Sequence, residues 1–243
     1  MGHNNAGGVN DGMSGTLEYP KHLRHVMHFV TVAGLLLLSA CTGTRTVNIE
    51  SNFPVPLMQK NALHMGLLLD EDLLNFSYQE KIEGKGEWNV PVGTVQRELF
   101  ANLSSGMFTE YSFVASVPSA ETQVQAVLKP AISDLQFSLP EQTRSNFYEV
   151  WIRYTFQLFD AGGNLIAEWP LPAYGKANKK DYGSANKGVT AAAVAACRDA
   201  MAFFAINFKR EPKIEQWLKS LPQSASVSAA EWPPQATATD TAG

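Results

Sequence analysis

Phe147-Tyr148-Glu149-Val150-Trp151-Ile152-Arg153-Tyr154-Thr155-Phe156-Gln157-Leu158-Phe159 decides the fold. Tyr148, Val150, Ile152, Tyr154, Phe156 and Leu158 fall on one side of an extended chain. Glu149, Arg153, Thr155 and Gln157 fall on the other, with Trp151 among them. A period of two over this length is a strand with one face on a core and the other partly wet. Asp160-Ala161-Gly162-Gly163-Asn164 follows, with glycine available for positive φ. Leu165 to Trp169 is then expected to pair back as a hairpin.

Downstream, Val194, Cys197, Met201, Phe204 and Phe208 recur at spacings of three and four. They predict a helix over 190–208 laid on the face that carries Tyr154 and Phe156. The segment 175–188 holds Lys176, Lys179, Lys180 and Lys187 and reads as a basic surface loop. A short last helix over 212–218 turns Ile214, Trp217 and Leu218 inward. From 220 to 243 the chain is small and polar, cannot build a core, and is expected to be a disordered tail around Trp232-Pro233-Pro234.

Upstream, the apolar run at 63–69 predicts a strand buried on both faces. Phe76 and Tyr78 begin a second strand near 75–82, Gly84-Lys85-Gly86 is a turn, and Trp88 and Val90 mark a third. Val92, Val95, Leu99, Leu103 and Met107 define a first amphipathic helix with Thr94 as its N-cap. The stretch 108–117 returns to the sheet with Phe113 and Val114 in the core, and 123–139 is extended. The fold expected is α+β: a two-layer sandwich, a mixed or antiparallel sheet of four to five strands with two long helices on one face. It occupies 62–219 as a single domain, after a signal at 1–40 and a tether at 41–61.

That signal ends in Leu35-Leu36-Leu37-Leu38-Ser39-Ala40-Cys41, with Lys21 and Arg24 ahead of it. The apolar run is shorter than the roughly 20 residues of a spanning helix. A basic flank, a short apolar core and small residues at its end form a secretory signal. Leu38-Ser39-Ala40-Cys41 resembles the lipobox of bacterial lipoproteins. The resemblance implies cleavage before Cys41 and acylation of its thiol and amine, more than one chain being what stable anchoring requires. Thr42 after the cysteine, rather than Asp, resembles the signal for outer-membrane sorting. The body is similar in architecture to small periplasm-facing auxiliary lipoproteins of transport and envelope-assembly complexes. Val127-Leu128-Lys129-Pro130, Trp151-Ile152-Arg153-Tyr154 running to Phe159–Gly163, and the helix 191–208 before Trp217-Leu218 carry that likeness. It implies a partner or scaffold in the envelope, with the domain facing the periplasm.

The chain of 243 residues has a formal charge of -4. Asp11 and Glu18 balance Lys21 and Arg24 in the signal, so the remainder carries the same -4. Mild, scattered acidity excludes a nucleic-acid binder, which needs a clustered basic surface. His3, His22, His25 and His28 precede Cys41 and leave with the signal, so no metal site is expected. With Cys41 acylated, Cys197 has no disulfide partner and reads as a buried small hydrophobe.

No catalytic motif is present. Gly84-Lys85-Gly86 lacks the long loop and following Lys-Ser/Thr of a phosphate cradle, and there is no Gly-x-Ser-x-Gly elbow. Asp70-Glu71-Asp72 lacks the ligand spacing of a calcium loop. The reading is a non-catalytic, cofactor-free lipoprotein held through Cys41 that docks on a membrane or cell-wall assembly, peptidoglycan or lipid included. The alternatives are a carrier of a lipid or other apolar ligand, and an envelope hydrolase using His64 or convergent acids. Large side chains on a wet surface mark docking sites, which makes Trp151, Trp169 and Tyr174 the candidates for partner contact.

Overall fold

The structure is a computed structural model that describes residues 43–50, 53–117 and 123–222. Contacts divide the chain into Met1–Gly43 and Thr44–Gly243. The expected signal at 1–40, the acylated Cys41, and Trp232 to Pro234 in the tail lie outside the described residues. In chain order the elements are β1 (Arg45–Thr46), β2 (Asn61–Leu67), α1 (Glu71–Leu74), β3 (Tyr78–Ile82), β4 (Gly86–Val90), a 3-10 turn (Val92–Val95) running into α2 (Gln96–Met107), and β5 (Phe108–Phe113). Then come β6 (Ala126–Ser138), α3 (Pro140–Thr143), β7 (Phe147–Asp160), β8 (Leu165–Asn178), α4 (Ala185–Asn207), a 3-10 turn (Phe208–Arg210) and α5 (Pro212–Ser220).

A mixed five-stranded sheet runs β5-β2-β6-β7-β8. β2 is parallel to both neighbours, and β6, β7 and β8 form an antiparallel meander. The expected α+β sandwich is therefore the fold, with α2 and α4 on one face. Pro130 sits within β6 without breaking it. β2 pairs with β6 only over Ala126–Leu128, where the Leu128 carbonyl accepts from Leu68 N. Two residues on, Pro130 turns its missing N–H toward the same side, past the end of β2, where no ladder bond is lost.

A second sheet of three strands, β1-β4-β3, was not anticipated. It puts Trp88 against Phe137 of the large sheet, ring centroids 5.6 Å apart. Its first strand is two residues long, too short to show a period, yet it draws the chain into the fold at Arg45. Val47, Ile49 and Phe53 are buried. The stretch expected as a tether at 41–61 thus belongs mostly to the domain.

The basic loop expected over 175–188 is corrected. Residues up to Asn178 continue β8, and α4 starts at Ala185, capped by Ser184. The glycines at the two ends of that segment, Gly175 and Gly188, serve close packing. A Cβ on Gly175 would collide with the Ala192 carbonyl and Ala196 N, and one on Gly188 with the Tyr148 ring. α4 approaches β8 there closer than any side chain allows. Its buried stripe is Val189, Ala192, Ala193, Ala196, Cys197, Ala200, Met201 and Phe204, with Val194 only half-buried. Ala185–Arg210 is long and apolar enough to cross a membrane by composition. Here it packs on the sheet, with Phe204 at 4.7 Å from Phe156.

Three smaller expectations change. Thr94 does not cap α2; its hydroxyl donates to Pro91 O within the 3-10 turn. Phe113 is 43% exposed at the free edge of β5, and Phe108, packed on Phe208, takes the core position. Val114 is half-buried. Before the second strand the chain makes the extra turn α1, because Asp70 caps it by accepting from Leu73 N.

Candidate functional site

The long helices and the small sheet cover one face of β6-β7-β8, while the short α1 borders the other at Lys129, Thr155 and Gln157. That other face carries the odd residues of β7 and the even residues of β8. Trp151 stands directly across from Tyr174 in the β7–β8 register and from Gln136 in the β6–β7 register. The two rings lie 5.3 Å apart, tilted by 39°. Both are exposed, at 41% and 37%. Sequence reasoning nominated both residues, and the structure brings them together.

Around the pair the face is polar. Tyr174 OH donates to Glu149 Oε1 at 2.6 Å, and Ser138 Oγ donates to the other oxygen of the same carboxylate. Lys176 reaches over the Phe147 ring at 5.0 Å. Partial burial, then the hydrogen bond and charge of Glu149, push the Tyr174 phenol up to about 12. It stays a neutral donor under all ordinary conditions. A shallow groove of about 280 Å³ runs beside Trp151, walled by Asp134, Arg153 and Pro172. An aromatic centre inside a ring of hydrogen-bonding groups is the composition of a protein-docking patch. Gln136, Glu149 and Arg153 were not nominated from sequence. Their signal was the hairpin register, legible only once β8 is known to run to Asn178.

Trp169 does not join this patch. It pairs with Phe156, so it points to the helix face, and it stacks on Phe156 at 5.5 Å and on Phe204 at 6.1 Å. Its half-exposed edge lines a separate cleft with Pro170, Phe203 and Arg210.

β8 is also the outer strand of the sheet, and its free edge is guarded. Tyr174 N donates to Asp199 Oδ2 of α4 at 3.0 Å, so the even residues of β8 face outward. Two of these, Pro170 and Pro172, have no N–H. An incoming strand finds no regular ladder there. Docking on this region uses the face, not the edge.

His64, Ser112 and Glu110 form the one arrangement that resembles catalytic machinery among the described residues. His64 Nε2 lies 2.8 Å from Ser112 Oγ, and Nδ1 lies 3.7 Å from Glu110 Oε2. The order matches nucleophile, base and acid, but the surroundings do not. The trio bridges the paired strands β2 and β5, and the N–H groups of a ladder lie in the plane of the sheet rather than above it as donors. Acyl transfer needs such donors at the developing oxyanion. The trio acts as a cross-strand clamp between β2 and β5.

The remaining candidates are structural. Asp70 of the acidic cluster caps α1 and pairs with Lys129 at 3.3 Å. Cys197 is fully buried beside the Tyr154 hydroxyl at 3.8 Å, and burial pushes its thiol up to about 11, which leaves it unreactive. No group of three metal-ligating side chains occurs among the described residues. Cys41, the expected lipidation site, lies outside them.

No family model matches the chain, and no curated protein matches its sequence. Several solved structures share parts of its outline. A Xanthomonas campestris protein of the family designated DUF330 is 8% identical, with 72% of this chain and 99% of that one covered and a TM-score of 0.45. A Helicobacter pylori protein described as a neuraminyllactose-binding hemagglutinin homolog is 10% identical, with 71% and 97% covered and a TM-score of 0.42. A Caulobacter crescentus protein described as a candidate lipoprotein is 12% identical, with 65% and 93% covered and a TM-score of 0.37. Likenesses of this size identify neither a family nor an activity.

Proposed function

We propose that this chain is an acyl-anchored, non-catalytic envelope protein that docks on a membrane or cell-wall assembly through the open face of β6-β7-β8. The observation that carries the reading is the exposed Trp151–Tyr174 pair, set among Glu149, Arg153 and Gln136 on the sheet face opposite the long helices. The secretory signal ending at Cys41 supports the anchor, and Thr42 supports an outer-membrane address with the domain toward the periplasm. Only three peptide units separate Cys41 from Thr44, where the folded unit starts. At about 3.5 Å per residue the domain would be held within roughly 10–15 Å of its anchor.

A carrier for an apolar ligand would need room between helices and sheet. That space holds the Phe156, Trp169, Phe204 and Phe208 rings, with neighbouring centroids 4.7 to 6.1 Å apart. No observation favours that alternative.

The test is affinity purification of the full-length protein from detergent-solubilised membranes after in-cell crosslinking, with partners read by mass spectrometry. Trp151→Ala and Tyr174→Ala should each keep the fold and the membrane attachment and lose a stoichiometric partner. Loss of a central aromatic contact costs about 2 kcal/mol or more, roughly a 30-fold drop in affinity. A wild-type purification that yields no stoichiometric partner contradicts the reading.

A further inference from the structure

Of the nine large apolar side chains that stand exposed among the described residues, five come from two segments, Val55, Leu57 and Met58 of the loop before β2 and Phe203 and Ile206 of α4. Leu57 is 101% exposed and Ile206 60%. The loop and the helix adjoin. Pro54 and Pro56 line an apolar cleft with Met201, Ala202 and Ala205 of α4. Ile206 follows Ala202 by one helical turn and Phe203 by three residues, so the apolar surface is continuous. The loop is held firmly from below, where Gly106 of α2 lets the Pro56 carbonyl approach to 2.5 Å of a would-be Cβ, and Asn102 Nδ2 donates to Phe53 O. This is a rigid apolar projection. Exposed Lys60, Lys209 and Arg210 flank it in the chain; the nearest acids in sequence to Phe203 and Ile206 are Asp199, which accepts from Tyr174 N, and Glu211.

We infer that this surface inserts into the interfacial region of the bilayer that carries the acyl anchor, against anionic lipid. The inference rests on the proposed acylation of Cys41. A fully exposed apolar tip with a basic rim has the composition of an interfacial membrane contact. The geometry supplies the rest. The chain enters the fold beside the start of α4, where Asn186 Nδ2 donates to Thr46 O and Thr190 Oγ1 to Asn48 O. Phe203 and Ile206 lie near the other end of the same helix, about 25 Å away at 1.5 Å per residue. Anchor and patch therefore attach the domain at two points, with α4 along the bilayer plane. α4 packs on the helix face of the sheet, so the Trp151–Tyr174 face is turned away from the lipid toward its partner.

The experiment uses the full-length acylated protein in vesicles of phosphatidylethanolamine and phosphatidylglycerol. An environment-sensitive fluorophore is placed through Leu57→Cys, Ile206→Cys or, as the opposite-face control, Gln136→Cys. Buried Cys197 and acylated Cys41 do not compete for the label. Co-flotation with vesicles reports the anchor. Quenching by lipids that carry a nitroxide on the acyl chain reports the patch. The inference expects co-flotation of all three, a blue shift and loss of most emission on nitroxide addition at Leu57 and Ile206, and no change at Gln136. Co-flotation without quenching at Leu57 and Ile206 overturns the patch and leaves the anchor standing. A blue shift without quenching assigns the surface to a second protein copy and equally overturns the inference. Failure to co-float overturns the anchor, and the patch with it.

Discussion

Gly175 of β8 lies directly under the Ala192 carbonyl of α4, so close that no Cβ fits between them. The contact fixes the height of the longest helix above the sheet. Gly175→Ala must push α4 away or bend β8. Overpacking of this kind costs about 3 kcal/mol, and the obstacle here is main chain, which yields little. Chemical denaturation of the purified protein measures it. A variant as stable as wild type would mean that α4 does not approach β8 in this way.

Phe204 is 1% exposed and touches Phe156, Trp169 and Phe208. Phe204→Ala should cost about 3–5 kcal/mol. Val194, half-buried one side around the helix, should cost far less on truncation. Equal losses for the two in the same unfolding experiment would contradict the placement of the stripe.

These two positions show how much of the fold was legible. The stripe through Cys197, Met201, Phe204 and Phe208 follows from spacing alone, because a helix on a sheet needs an apolar face every three or four residues. The function of Gly175 did not follow. A glycine among lysines has the composition of a loop, and the need for close approach exists only after α4 and β8 are both in place. Trp169 was displaced for a related reason. Its face depends on the register of β8, and the hairpin was expected to end at Trp169, where parity has nothing further to fix it. Trp151 was legible because it interrupts the polar side of an otherwise strict alternation.

Tyr154 OH donates to Gln96 Oε1 at 3.2 Å, and Gln96 Nε2 donates to Val92 O at 2.9 Å, with both side chains fully buried. Tyr154→Phe leaves a buried amide oxygen without a donor. The expected loss is about 1–3 kcal/mol. Tyr154→Phe combined with Gln96→Leu should recover part of it, and a double variant weaker than the sum of the single ones would contradict this network.

The turn after β7 gives an acid-side signature. Asp160 accepts from the Asn164 side chain and from main-chain N–H groups of the turn, and these bonds hold its carboxyl below the ordinary 3.8. A lowered folded value means the stabilisation is full above the unfolded value and is lost as the pH falls through the folded one. Asp160→Ala should therefore be destabilised at neutral pH and converge on wild type well below pH 3.8. Parallel curves across the whole acid range would show that the turn bonds do not matter.

The Tyr174 phenol, held up to about 12 first by burial and then by Glu149, gives the matching signature at the patch. A raised value means its contribution is intact below the ordinary tyrosine value of 10.0 and fades as the pH rises through the folded one. The ultraviolet phenolate difference between wild type and Tyr174→Phe should titrate late, and Glu149→Gln should bring it only part of the way down, because burial remains. Titration at the ordinary value in wild type would contradict the Glu149 contact.

The central claim is that the open face of β6-β7-β8 receives a partner. It is tested most directly by a photoreactive amino acid placed at Gln136, beside Trp151, in the full-length protein in living cells, with Gln216 on α5 as the control position. The account predicts one discrete crosslinked protein from Gln136, none from Gln216, and loss of the Gln136 product when Tyr174→Ala is added. The same product from both positions, or a Gln136 product that survives Tyr174→Ala undiminished, would contradict it.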